Sequence, residues 1–273
     1  MPGSTRGRSM IGYHKSRLPS DIQLHMDPQQ NIPHDLLVDG YTAQMFGPLD
    51  ADVYYVSLLK RERRHIQWRT SAGITDTFLA APPPGLASDQ HDWVIDHVVR
   101  ATGPVIPQKI WAPRKPSDKV RRVDFEQLQP PIFFIHDNGR DLGLPLIGAA
   151  GGNCMHLRDA EIAVRYGGAH AQIRINWRGY EHLDWNEQIS MQMRTGARES
   201  IPLETFAKHV GRKVMKFMET AKHESYNGDQ RYLIGDDHIT PRDIILIGTV
   251  QVSQGSWMPI LQLNDCNWFV RMM

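Results

Sequence analysis

Histidine and aspartate side chains occur together at several points of the chain, and these residue types support metal binding and acid–base catalysis. The densest clusters are His91-Asp92, Asp96-His97, His136-Asp137 and Asp236-Asp237-His238. None of them has two histidines four residues apart beside a glutamate, the helical spacing of a common zinc site. A metal-dependent or hydrolase-type enzyme would therefore combine two clusters. Its predicted site is His136, Asp137, Asp236, Asp237 and His238, of which all but Asp237 are the predicted metal ligands.

Two neighbouring stretches carry other chemical signals. Residues 148–153 are rich in glycine and could offer backbone N–H groups to a phosphate, but they lack the Gly-Lys-Ser/Thr ending of a phosphate-binding loop. A flexible connector is the predicted alternative. Cys154 and His156 could form a thiolate–imidazolium pair, although catalytic pairs usually come from distant segments. The sequence therefore predicts no catalytic residue and no cofactor.

Basic side chains near the centre of the chain predict a binding surface. Arg174 and Arg178 lie on the polar side of a predicted strand, whereas Lys208, Arg212 and Lys216 lie on the polar side of a predicted helix. Such side chains can contact an acidic protein surface or the phosphates of a nucleic acid. The leading prediction is a non-enzymatic module that binds a protein partner or ligand. A nucleic-acid-binding protein that uses the Arg174 and Arg178 sheet face and the basic helix 204–218 is the alternative, and the enzyme is the second alternative.

Composition narrows the classes of protein. The 31 basic and 30 acidic residues give a net charge of +1, which excludes a global attraction to nucleic acid or to anionic membranes. Two distant cysteines exclude a disulfide framework and predict a reducing compartment, the cytoplasm or the nucleus. Because no run approaches the roughly 18 apolar residues of a membrane helix, we predict a soluble protein without a membrane partner.

The elements that position the basic residues have clear patterns. Residues 172–178 and 188–194 alternate polar and apolar, which predicts two half-buried antiparallel strands joined by a long loop. A helix follows, with Pro202 at its first position. The predicted core positions are Ile173, Ile175 and Trp177 in the first strand, Ile189, Met191 and Met193 in the second, and Phe206, Val210, Val214, Phe217 and Met218 in the helix.

The rest of the chain divides into regions by composition. Residues 1–33 predict a disordered basic tail, 34–130 an irregular α+β region with proline-rich breaks, and 131–273 a sheet-plus-helix domain. Further strands are predicted at 66–70, 131–135, 231–235 and 256–263, and either a strand or a short helix at 92–99. Residues 240–243 have the pattern of a helix start, but the β-branched run that follows leaves 244–252 open between strand and helix.

The element order from residue 171 onward resembles a β-grasp, the ubiquitin-like layout. That resemblance implies an α+β fold, in which one amphipathic helix crosses a mixed sheet and the final strand pairs beside the first. Pro259 in that final strand predicts one missing ladder hydrogen bond. Segments 174–180 and 252–259 also resemble a family of uncharacterised basidiomycete fungal proteins, over roughly residues 131–263. That second resemblance implies no activity and no site residues.

Overall fold

The computed structural model describes the chain in separate ranges, which are 41–54 (except 43, 48, 49, 52 and 53), 66–70, 73–75, 93–96, 103–111, 128–129, 131–138, 141–193 and 199–264. The predicted tail at 1–33 lies outside these ranges. Three short strands form one small sheet, in the order β2-β1-β3: β1 Ile66–Thr70, β2 Gly73–Thr75 and β3 Trp93–Asp96. The strand predicted at 66–70 is confirmed, and residues 93–96 of the open segment 92–99 form a strand.

The larger sheet has six strands in the described ranges, and all of them lie between residues 132 and 263. They are β4 Ile132–Phe133, β5 Leu144–Pro145, β6 His170–Ile175, β7 Trp185–Ser190, β8 Ile244–Ser253 and β9 Ser256–Leu263. The order is β4-β8-β9-β6-β7, and β5 also pairs with β8. The pairing of β6 with β9 is parallel and the others are antiparallel. This mixed sheet confirms the predicted α+β class, and the final strand β9 lies beside β6.

One long helix crosses the sheet. This helix, α2, spans Leu203–Ala221 and begins one residue after Pro202; the shorter α1 spans Leu146–Gly151. All five predicted core positions of α2 are buried, so the predicted apolar stripe is confirmed. Phe217 is the centre of an aromatic cluster, with ring centroids 6.0 Å from Trp177, 6.2 Å from Tyr180 and 5.8 Å from Trp185.

The sheet separates two apolar cores, because β8 and β9 are buried on both faces. The first core lies between the sheet and the two helices. The second core lies on the opposite face, where residues of 41–54 and 103–111 pack against β8 and β9. Its buried members are Tyr41, Met45, Phe46, Ala51, Tyr54, Val105, Ile110, Ile247, Val250, Val252, Met258 and Ile260. Parts of the predicted region 34–130 thus pack against the C-terminal sheet.

Pro259 is accommodated inside the sheet because β6 and β9 separate before they reach it. The β6–β9 pairing covers only Ser256 and Trp257 of β9. Gln108 lies beyond that point, fully buried. Its Nε2 donates to the Pro259 carbonyl at 2.6 Å and its Oε1 accepts from the Asn176 N–H at 3.2 Å. The Gln108 amide thus connects β9 to the residue after β6 at the point where Pro259 has no N–H group to donate.

One predicted strand is corrected at its end. The strand predicted at 188–194 is β7, which ends at Ser190, and Gln192 beyond it pairs with Ser200. Met193 is therefore 38% exposed rather than buried, whereas Ile189 and Met191 are buried as predicted.

The prediction of a strand at 231–235 is wrong, because a 3₁₀ helix over Gln230–Tyr232 occupies the start of this segment. The Asp229 carboxylate caps that helix.

Residues 148–152 belong to α1 and its cap, not to a flexible connector. Apolar contacts decide this, since Ala149 and Ala150 are buried beneath α2 and lie close to Gly211.

The open segment at 244–252 is strand β8. The helix-start pattern before it forms a single 3₁₀ turn, Pro241–Asp243, with the Thr240 and Asp243 side chains in a capping box. The helix-start pattern thus forms the 3₁₀ turn, and the β-branched run after it forms strand β8.

Candidate functional site

Two of the four predicted metal ligands have partners of their own in the structure. The His136 Nε2 lies 2.7 Å from the Gly143 carbonyl, and Asp236 forms an ion pair with Lys222 at 2.8 Å. His238 has a buried Nδ1 without a partner among the described groups. Over the ranges that the structure describes, no three His, Cys, Asp or Glu side chains are placed to hold a metal ion.

A small cavity of about 410 Å³ adjoins the first of these clusters. It is lined by His136, Asp137, Asn138, Asp141 and His156, and residues 236–238 are not part of its wall. The Asp137 N–H donates to the His156 carbonyl at 2.7 Å, and the Asn138 amide donates to Asp141 at 2.7 Å. These polar groups thus serve mainly to hold the turn between β4 and β5.

The environment of Cys154 does not favour a reactive thiolate. Cys154 is buried, and burial is the main cause that raises the pKa of its thiol; the Glu204 carboxylate adds to the effect. Its Sγ faces the Glu204 carbonyl at 3.8 Å. A thiol with a raised pKa stays protonated at neutral pH and is a poor nucleophile.

Arg174 and Arg178 lie on the side of the sheet opposite α2. The Arg174 Nε donates to the Ser256 hydroxyl at 3.0 Å, and its guanidinium lies 4.1 Å from the centre of the Trp111 ring. The Arg178 guanidinium donates to the Phe46 carbonyl at 3.3 Å. Arg174 also lines a cleft of about 740 Å³, whose described wall holds no histidine, lysine or carboxylate. That wall offers no general acid or base other than a tyrosine.

A second groove, the α2–β7 groove, lies between the helix and the end strand of the sheet. Its volume is about 630 Å³, and its lining residues are Gln188, Ile189, Ser190, Gln192, Met193, Ile201, Thr205, His209, Arg212, Lys213 and Lys216. The helical members recur at three- and four-residue intervals, so they form one stripe along the flank of α2. The sequence therefore places a row of cations along one wall.

A carboxylate from β7 already occupies part of this row. The Lys213 Nζ lies 2.9 Å from one oxygen of Glu187, and the Lys216 Nζ contacts the other oxygen. Hydrogen bonds from Lys216 and then Lys213 lower the pKa of the Glu187 carboxyl. Two lysines of the groove wall thus hold a carboxylate between them.

The other cations of α2 reach towards α1. The Arg212 Nε donates to the Ala150 carbonyl at 3.0 Å, and Lys208 lies over Gly152. Carbonyl groups at a helix end lack partners within the helix and attract cations. Lys208 therefore supports the end of α1 and does not line the groove, whereas Arg212 does both.

His209 is the titratable group in the middle of the stripe. Its Nδ1 lies 3.3 Å from the Ser190 carbonyl, which can only accept, so Nδ1 carries the proton. Burial is the largest cause that lowers the pKa of His209, and the nearby cations Arg212, Lys208 and Lys213 lower it further. Burial and the neighbouring cations accordingly favour the neutral imidazole in the free groove.

The outer edge of β7 faces this groove. No strand that the structure describes pairs with that edge. The Met191 N–H donates to the Ala169 carbonyl of the β6 side, and backbone groups of an antiparallel strand alternate in direction. The β6–β7 register therefore points the backbone N–H and C=O groups of Glu187 and Ile189 towards β6, whereas those of Asn186 and Gln188 point outward.

The predicted binding residues thus fall on two surfaces. Arg212 and Lys216 meet in the groove, while the sheet separates them from Arg174 and Arg178. A nucleic-acid surface built from the sheet face and the helix together would not be continuous. Sequence reasoning missed His209 as a site residue, although its four-residue spacing from Lys213 was a usable signal.

Comparisons of the chain with protein-family models, with curated proteins and with solved structures gave no match. The resemblances to a β-grasp layout and to basidiomycete proteins therefore stay predictions. Within the described ranges, no helix has both the length and the apolar character to cross a membrane.

Proposed function

We propose that this protein is a non-enzymatic binding module that takes up an acidic segment of a protein partner in the α2–β7 groove. The observation that carries the proposal is the charge of the groove. The groove wall holds three permanent cations, Arg212, Lys213 and Lys216, and Glu187 is paired with the two lysines, which leaves two positive charges in excess. The two cysteines, which are far apart in the sequence, favour the cytoplasm or the nucleus as the place of action.

The groove suits a protein segment better than a nucleic acid. Ile189 and Ile201 form an apolar floor, and Met193 is partly exposed beside them. An apolar floor contacts aliphatic carbon atoms, including the methylene groups of glutamate side chains, whereas a phosphate backbone gains only from the cations. The arginines Arg174 and Arg178, which could extend a phosphate track, lie beyond the sheet.

The test is a titration with a defined acidic peptide. The probe is a fluorescein-labelled peptide of about six residues, the length of a typical strand, in which glutamate alternates with valine. A matched peptide carries glutamine in place of glutamate. We expect the acidic peptide to bind more tightly, and Lys216→Glu to weaken its binding by about 2- to 30-fold, because one attraction is lost and one repulsion is gained.

Lys109→Glu is the matched control variant, since it makes the same change of charge at an exposed position beside Asn176, outside the groove. Equal binding of both peptides, or equal effects of Lys216→Glu and Lys109→Glu, would overturn the proposal. Single-stranded RNA that displaces the peptide and binds more tightly would overturn it in favour of a nucleic acid.

A further inference from the structure

We propose that the acidic segment binds as an extended strand along the outer edge of β7, with its alternate acidic side chains facing the cationic stripe of α2. This inference rests on the proposed function and adds the conformation and the sequence pattern of the partner. It follows from three properties of the groove: its position along a strand edge, the spacing of its cations, and the carboxylate that it already holds.

The first property is the direction of the backbone groups on β7. Asn186 and Gln188 point their N–H and C=O groups away from β6, towards the outer edge. Gln188 and Ser190 are also lining residues of the groove, so the groove runs along this edge. An edge strand with unpaired backbone groups accepts an added strand, which gains main-chain hydrogen bonds.

The second property is the match between helix and strand spacing. Side chains on one face of a strand repeat about every 6.6–6.8 Å. Positions four residues apart on a helix rise by about 6 Å, which is the interval from His209 to Lys213. Lys213 and Lys216 contact Glu187, and His209 contacts the Ser190 carbonyl. These two points of β7 are three residues or about 10 Å apart, so the stripe follows the strand and the long lysine side chains span the remaining distance. Acidic residues two apart in an extended segment would therefore meet successive groups of the stripe.

The third property is the position of Glu187 between Lys213 and Lys216. Its side chain comes from a strand and points to the helical stripe. It therefore shows the approach that a carboxylate on an adjacent strand would follow. The side chains between the acids would point to the opposite face, beside the exposed amides of Asn186 and Gln188, where polar residues are tolerated.

The experiment is an N-methyl scan of the glutamate–valine peptide. Because backbone N–H groups alternate in direction along a strand, methyl groups on one alternate set of amides should weaken binding about 2- to 12-fold each, and those on the other set should leave it unchanged. Hydrogen exchange provides a second measurement. The amides of Asn186 and Gln188 should exchange more slowly when the peptide is bound.

The outcomes separate the two proposals. If glutamate is needed for binding but both methyl sets act alike and the β7 amides are unprotected, the strand mode is wrong and the proposed function stands. If the glutamine peptide binds as well as the glutamate peptide, the proposed function fails and the strand mode fails with it. Alternating methyl effects together with slowed exchange at Asn186 and Gln188 would support both.

Discussion

Replacing Glu187 with glutamine should weaken the fold and strengthen binding of an acidic peptide. Glu187 is the carboxylate between Lys213 and Lys216, so it competes with an incoming acid for the same two ammonium groups. Glutamine keeps the size of the side chain and removes its charge. The two effects therefore have opposite signs, which is unusual for a substitution that merely damages the structure.

The magnitude follows from the exposure of the three side chains. Lys213 and Glu187 are about one-quarter exposed and Lys216 is 60% exposed, so these are surface ion pairs. Such pairs contribute about 0.2–1 kcal/mol each. We expect Glu187→Gln to lower the free energy of unfolding by about 0.4–2 kcal/mol. The freed lysines should raise peptide affinity by a similar amount, about 2- to 30-fold.

Urea unfolding gives the first quantity and fluorescence anisotropy of the labelled acidic peptide gives the second. Glu224→Gln is the matched control, because it makes the same change of charge at an exposed position after the end of α2. Raising the salt concentration should reduce the gain in affinity. Unchanged or weaker binding by Glu187→Gln, with the fold intact, would refute the competition between Glu187 and the peptide.

Three further predictions concern the groove and the two cores. The pKa of His209 is lowered in the free groove, and a bound carboxylate favours its protonated form. Peptide affinity should therefore rise as the pH falls from about 8 to 5. In anisotropy titrations, His209→Gln should flatten that pH profile. Gly248→Ala should lower the free energy of unfolding in urea by about 2–3 kcal/mol, because the added Cβ would lie 2.3 Å from the Ile132 carbonyl oxygen. Gly255→Ala should leave the free energy of unfolding nearly unchanged, because no atom lies within 3.4 Å of the added Cβ. Phe217→Ala should cost about 3–5 kcal/mol, and Phe217→Leu less than half of that because most of the volume is kept. Equal costs for the two Phe217 variants, or for the two glycine variants, would contradict these arguments.

The long periodic elements could be predicted from the sequence because burial on one face imposes a repeat. Strand β6 and helix α2 have such repeats, and their buried residues were identified correctly. Met193 was placed wrongly because the alternating pattern continues past Ser190, where tertiary pairing with Ser200 redirects the chain. Local alternation cannot reveal a pairing that depends on a later segment.

The groove could be predicted only in part, for a related reason. The basic face of α2 was visible as a helical repeat. Which of its cations face a groove depends on the neighbours, since Lys208 turns to α1 whereas Lys213 and Lys216 turn to Glu187. The partner Glu187 was not predicted, because strand pairing and helix placement together bring it to the lysines.

The second core has a consequence for synthesis of the protein. It joins chain segments that are far apart in sequence: the Gln262 amide donates to the carbonyl of Gly103, 159 residues earlier, at 2.7 Å. At a translation rate of about 5–20 residues per second, Gly103 is added to the chain roughly 8–30 s before Gln262 is added. During that interval the apolar side chains of residues 41–54 lack the strands that bury them. Nascent chains of this protein should therefore depend on chaperones until β9 has emerged, and a ribosome stalled before β9 should hold a protease-sensitive N-terminal half.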